Sequence, residues 1–433
     1  MAKNLTKDEE YVVSESKELY LGEERHWATR IMRAFPAFRY RNYKLYFTGQ
    51  VISLVGFWLQ IVAEGWLVFQ LTHSALWVGI IGAVGTVPSL LFSLIGGVIV
   101  DRISKKKILI TTQSVALVLA TILGILVEFH WMTVPILVVL AFFLGLVDAI
   151  DTPARQAFVV DLVDREDLSS AIALNSGMFN FARVLGPSIA GILIGLTGLA
   201  SSFYINAVSF IPAIIVINMM IVKEIPSRDH PHPIEAIKEG LRFSFGHTTI
   251  RILMIFAAVV TIFGWSYSTL LPVMVENVFK KGATELGYMY AASGVGALLA
   301  TMLISAYAKK VKDTTFIFAG SLVFCLGLFL FTLTSSFVFA LLFLFLIGFG
   351  LTSQFSVINA SIQHLVSDEI RGRVMSIYTV MFLGMSPVGS FLIGVGADKL
   401  TSDHAIQIGV TIVFLFLVYV FLNRVKLFVP VID

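Results

Sequence analysis

A single cysteine, Cys325, stands in 433 residues, so the chain has no intramolecular disulfide framework and no cysteine-based metal cluster. Charge is scarce too: Asp, Glu, Lys and Arg make up 14% of the chain, against about a quarter in soluble domains. The sequence has no Gly-x-x-x-x-Gly-Lys-Ser/Thr loop to cradle nucleotide phosphates, and no His-Glu-x-x-His or Gly-x-Ser-x-Gly motif. Nucleotide-driven work and intramembrane hydrolysis therefore lack their signatures, no cofactor is expected, and an ion gradient is the expected energy source. Barrel-type alternation is missing as well, which leaves helices as the only way to span a bilayer.

What is present is apolar: 57% hydrophobic residues and a mean hydropathy of +0.87. A spanning helix needs about 20 apolar residues. Hydropathy gives twelve such stretches, at roughly 43–71, 75–101, 107–129, 132–155, 170–196, 199–222, 249–279, 284–308, 314–334, 337–362, 371–398 and 404–423. Of 31 Lys and Arg, 27 fall on one side of these spans, three on the other (Lys280, Lys281, Lys399), and Arg183 lies inside the fifth. Cytoplasmic loops keep positive charge, so both termini are expected in the cytoplasm. The net charge of +3 follows from this arrangement and implies no nucleic-acid partner. The polar, mixed-charge start of the chain is not that of a cleavable leader, so insertion is expected to begin with the first span.

The expected architecture is an all-α membrane protein of twelve transmembrane helices in two pseudo-symmetric six-helix lobes. A tail over 1–42 precedes a first lobe at 43–222. A polar linker at 223–247, with Pro226, Pro231 and Pro233, leads to a second lobe at 248–425 and a short tail at 426–433. Within the first tail, Trp27, Ile31 and Phe35 recur at helical spacing opposite Arg25, Arg30 and Arg33. This suits either a surface helix over 23–38 on an anionic membrane or an ordinary lead-in. Two internal alignments support duplication: a shift of 200 lays Gly186-Pro187 on Ser386-Pro387, and a shift of 208 lays Gly79 on Gly287 and Asp101-Arg102 on Lys309-Lys310.

The stretch from Gly97 to Lys107, GVIVDRISKKK, resembles the loop signature of the major facilitator superfamily, Gly-x-x-x-Asp-Arg-x-Gly-Arg-Lys/Arg. Gly97, Asp101 and Arg102 match, Lys105 and Lys106 supply the basic pair, and Ser104 replaces a glycine. The resemblance implies a secondary transporter that alternates access. Asp101 would meet the N-terminus of the eleventh helix near Arg371, Gly97 would allow close packing there, and Lys105 or Lys106 would pair with acids at the inner end of the fourth helix. Asp151 and Arg155, one turn apart on that helix, would be further gate charges. The segments Pro153-Ala154-Arg155-Gln156-Ala157-Phe158 and Ala182-Arg183-Val184-Leu185-Gly186-Pro187 are similar to the bacterial branch that includes the enterobactin exporter and multidrug or macrolide efflux proteins. Gly177, Gly186, Pro187 and Gly191 approximate that superfamily's antiporter motif, although Ala190 replaces one of its glycines.

Arg183 lies near the bilayer centre, where a cation needs a partner or water. Glu64 and Asp148 sit about 10 Å above and below it at 1.5 Å per residue, and exchange of Arg183 between them under protonation is one expectation. A static buried pair is the other. Polar or aromatic stripes mark the first helix (Gln50, Ser53, Phe57, Gln60, Glu64), the seventh (Thr261, Trp265, Ser268, Pro272, with Tyr267 beside them) and the tenth (Thr352, Ser356, Asn359, Gln363). Helices 1, 4, 7 and 10 line the cavity in the superfamily, so these residues are the expected substrate contacts. With few charges, they suit an amphipathic or aromatic compound, exported for protons by a monomer in a bacterial cytoplasmic membrane. A lipid or lysophospholipid flippase and a non-transporting receptor or scaffold are the alternatives.

Overall fold

The computed structural model describes residues 35–222, 233–307 and 310–423, with side chains throughout except at 93–98, 101, 233–237 and 368–369. The surroundings of Gly97 and Asp101, and residues 23–34 of the amphipathic stretch, lie outside the described set. Among the described residues, twelve helices are long and apolar enough to cross a membrane. They are α1 (Arg41–Thr72), α2 (Ala75–Arg102), α3 (Lys105–Glu128), α4 (Val134–Asp161), α5 (Leu168–Thr197), α6 (Leu199–Met219), α7 (Thr248–Asn277), α8 (Ala283–Tyr307), α9 (Asp313–Leu333), α10 (Phe337–His364), α11 (Ile370–Lys399) and α12 (Ser402–Leu422). Hydrocarbon offers no partner for a free N–H or C=O, so a bilayer favours spans that close their backbone hydrogen bonds within the helix.

The chain is fastened at its basic end. Residues Pro36–Arg39 form a 3-10 turn, not the end of a surface helix, and Ala37 N–H donates to Ser170 Oγ at 3.3 Å. The Tyr40 hydroxyl lies 3.0 Å from a carboxylate oxygen of both Asp164 and Asp167, and Tyr43 donates to the Ala171 carbonyl at 3.0 Å. Loss of solvation first, and the two acids second, push the Tyr40 hydroxyl up to about 12. The basic loop is also held within its own lobe. Ser104 Oγ accepts from Lys107 N–H at 3.3 Å as an N-cap of α3, and Lys105 pairs with Asp161 at the end of α4 at 2.6 Å. Lys106 donates to the carbonyls of Asn218 and Met220, at 2.8 and 2.7 Å, where the negative end of α6 favours a cation.

The linker contains an unanticipated helix, Pro233–Gly246. Proline suits a helix start because its missing N–H is unpaired there in any case. Gly240 is buried against Arg373 and Ile377 of α11, and Glu239 pairs with Arg373.

The two lobes meet along two seams, α2 on α11 and α5 on α8. Each seam crosses at paired glycines: a Cβ on Gly191 would fall 2.2 Å from Gly287 Cα, and one on Gly79 would fall 2.4 Å from the Ser390 carbonyl and 3.1 Å from Gly394 Cα. Gly79 and Gly287, equivalent under the 208-residue shift, thus occupy equivalent crossings. Ser74 Oγ lies 3.3 Å from Asp398 Oδ1, and His73 Nδ1 lies 3.8 Å from Glu276 Oε1. All these contacts lie at the end of the bundle opposite the basic loops, and they close it.

Candidate functional site

Two interrupted helices shape the space between the lobes. α7 runs as an α-helix to Val259, widens into a π turn over Val260–Gly264, tightens to 3-10 over Trp265–Leu270 and resumes at Leu271. α11 widens in the same way over Val380–Gly384 and resumes at Ser386. Each resumed half has a proline as its second residue, Pro272 or Pro387. Pro272 cannot donate to the Ser268 carbonyl, and the Tyr290 hydroxyl takes that place at 3.3 Å. Glycines make room for the widened turn of α7: a Cβ on Gly389 would come 2.8 Å from the Ile262 carbonyl oxygen, and one on Gly409 would come 2.2 Å from that of Phe263. Such π turns inside α-helices recur at functional sites.

The interruptions bring together aromatic rings from three helices of the second lobe. Trp265 stacks on Phe382 with ring centres 5.3 Å apart, Phe355 of α10 lies 4.4 Å from Phe382, and Tyr378 stacks on Phe382 at 5.8 Å. From the first lobe, the half-buried Arg183 places its guanidinium carbon 5.8 Å from the centre of the Trp265 ring. A cation over an indole face gains about 0.5–2 kcal/mol. Among the described residues no carboxylate lies within 4.0 Å of Arg183.

The two acids expected to exchange Arg183 are held elsewhere in this conformation. Glu64 accepts from Gln60 at 2.6 Å; Gln60 accepts from Asn206 of α6, whose carbonyl accepts from Ser209 at 2.7 Å. Asp148 accepts from Thr152 at 3.1 Å and Ser89 at 3.3 Å, and lies 3.5 Å from Arg155. Arg155 pairs more closely with Asp151, at 2.7 Å. Asp151 also accepts from Thr112 at 2.5 Å and Gln113 at 3.4 Å, and Gln113 accepts from Ser53 at 3.2 Å. Asp151 is 6% exposed and Asp148 is 35% exposed, so of the two only Asp148 meets solvent readily.

The stripe on the first helix faces mostly inward. Gln50, Ser53 and Gln60 are 1%, 2% and 5% exposed; Ser53 and Gln60 bond α3 and α6 of their own lobe, and the Gln50 amide has no hydrogen-bond partner among the described residues. Only Phe57 and Glu64 are half-buried. Polar side chains in lipid bind helices to one another as readily as they bind ligands, and that use prevails here. On α7, Trp265 reaches the lobe interface, Tyr267 is buried, and Ser268 Oγ donates to the Trp265 carbonyl at 3.0 Å. On α10, Thr352 is buried, Ser356 is exposed, and Gln363 donates to Asn359 at 2.6 Å. Arg371 donates to the carbonyls of Gln363 and Val366, both at 3.2 Å, at the C-terminal end of α10, while Arg102 is exposed. Of the glycine-proline set, Gly186 lies against Trp58 and Val55 of α1, Gly191 makes the lobe crossing, and Gly177 has nothing within 4 Å. Pro187 leaves the Arg183 carbonyl without its helical donor. Phe355, Phe382 and Asn206 were not anticipated, because single aromatics and amides in apolar runs carry no periodic signal.

Twelve helices in two related lobes, with interrupted helices lining the space between them, define a membrane transporter of the major facilitator class. The chain belongs to the family described as transmembrane secretion effectors, whose profile matches residues 32–430. It is 27% identical over 388 residues to the staphyloferrin A transporter of Staphylococcus aureus (strain NCTC 8325 / PS 47), covering 88% of this chain and 96% of that protein. It is 24% identical over 409 residues to the enterobactin exporter EntS of Escherichia coli O1:K1 / APEC, covering 92% and 95%. Among solved structures, an inward-facing, unoccupied bacterial homologue of the human lysosomal transporter Spinster shares the fold, with a TM-score of 0.72 at 13% identity over 89% of this chain and 97% of that one.

Proposed function

We propose that this chain is a secondary active exporter. It carries an amphipathic small molecule, siderophore-like or drug-like, out across a bacterial cytoplasmic membrane by alternating access, in exchange for protons and as a monomer. The observation that carries this reading is the surface between the lobes, where Arg183 of one lobe faces the ring stack of Trp265 and Phe382 in the other. A ligand held there touches both lobes, so binding is coupled to their relative motion. With the basic loops in the cytoplasm, the glycine crossings shut the outer side and the conformation is closed to the exterior. The named activities of the two relatives, a staphyloferrin A transporter and an enterobactin exporter, support a siderophore-like load. Asp148, partly open to solvent beside Arg155, and Glu64 are the groups that would take up the proton.

Reconstitution into proteoliposomes tests this. Substrate added on the side of the basic loops should drive counter-movement of protons, and Asp148→Asn or Glu64→Gln should uncouple that movement. If both variants keep full pH-gradient-driven transport, proton exchange through these acids is wrong. Movement of a fluorescent lysolipid without efflux of any soluble dye would instead make the protein a flippase.

A further inference from the structure

The ring stack and Arg183 say more about the load than that it is amphipathic. Arg183 stands deep in the span with an indole face as its contact and no carboxylate of the described residues within 4.0 Å. Ring contact offsets only part of what it costs to hold a cation away from water. The nearby acids are already engaged, Asp148 with Arg155, Ser89 and Thr152, and Glu64 with Gln60. The site therefore presents one uncompensated planar cation beside the face of Trp265, which in turn packs against Phe355 and Phe382.

Resting on the exporter reading above, we propose that the substrate is an aromatic organic anion. Its carboxylate or equivalent acid group pairs with the Arg183 fork, and its ring lies on the Trp265/Phe382 stack. A guanidinium offers two parallel N–H donors to a carboxylate, a geometry lysine lacks. The first lobe supplies the charge and the second supplies the rings, so neither lobe alone holds the ligand. A cationic amphiphile of the same shape meets like charge at the same place and is rejected.

Three probes with one ring system and different charge test this: 2-naphthoate, 2-naphthylmethanol and 2-naphthylmethylammonium, titrated calorimetrically into the purified full chain in nanodiscs. The acid should bind at least tenfold more tightly than the ammonium compound, with the alcohol between them. Arg183→Gln should abolish the preference for acid, Arg183→Lys should keep it in weaker form, and Phe382→Ala should weaken all three probes alike. Ammonium binding equal to or tighter than acid binding in the unmodified protein overturns the proposal, whatever the variants do. So does failure of the acid to bind at millimolar concentration, or an acid preference that survives Arg183→Gln in a folded variant. Flux in proteoliposomes separates the two readings. Acid preference without any export leaves the anion site standing and removes the exporter, whereas export of the alcohol without acid preference does the reverse.

Discussion

The guanidinium carbon of Arg183 stands 5.8 Å from the centre of the Trp265 ring, one residue from each lobe. The contact is a direct tie between α5 and the interrupted part of α7. A double-mutant cycle over Arg183→Gln and Trp265→Leu should return a coupling energy of about 0.5–2 kcal/mol, read from unfolding in mixed micelles. Additive effects would mean that the ring does not hold the cation.

The closed end offers a second test. Ser74 Oγ and Asp398 Oδ1 lie 3.3 Å apart across the lobes, and the native Cys325 is buried in α9. In a Cys325→Ala background, Ser74→Cys with Asp398→Cys should cross-link under mild oxidation and stop transport, and a reductant should restore it. Full transport by the cross-linked protein would show that this end need not open.

Gly191 and Gly287 touch backbone to backbone, leaving no room for a larger side chain. Gly191→Val should wedge the α5/α8 seam and lower the yield of the Ser74/Asp398 cross-link severalfold. An unchanged yield would place the hinge elsewhere.

Arg155 compensates Asp151, and more distantly Asp148. Arg155→Met strands a buried carboxylate and should cost about 3–5 kcal/mol, measured by thermal unfolding in detergent. Adding Asp151→Leu should recover part of that loss, because it removes the more buried stranded carboxylate and leaves only the partly exposed Asp148 without its cation.

How much of this could be read in the chain differs from residue to residue. The span expected at 170–196 is Leu168–Thr197, and that at 371–398 is Ile370–Lys399, because apolar length in a bilayer leaves little else for the chain to do. The repeat was legible at Gly79 and Gly287, whose shared role is a close crossing that excludes side chains. The cavity face of α1 was not legible: Ser53 and Gln60 bond neighbouring helices, Gln50 is buried with neither amide atom hydrogen-bonded among the described residues, and hydropathy cannot tell such positions from contact with a ligand. The π turns escaped notice because Val260–Gly264 and Val380–Gly384 are ordinary apolar residues. The first has room to widen because Gly389 and Gly409, far along the chain, carry no Cβ where they meet it.

Trp265 follows directly on the widened turn of α7, and Phe382 lies within that of α11. Straightening either turn would advance its ring by about one residue's rise, roughly 1.5 Å, and slide the pair out of register. The two breaks are therefore coupled through the Trp265/Phe382 contact, and a change in either one alters the ring face that the second lobe presents to the first.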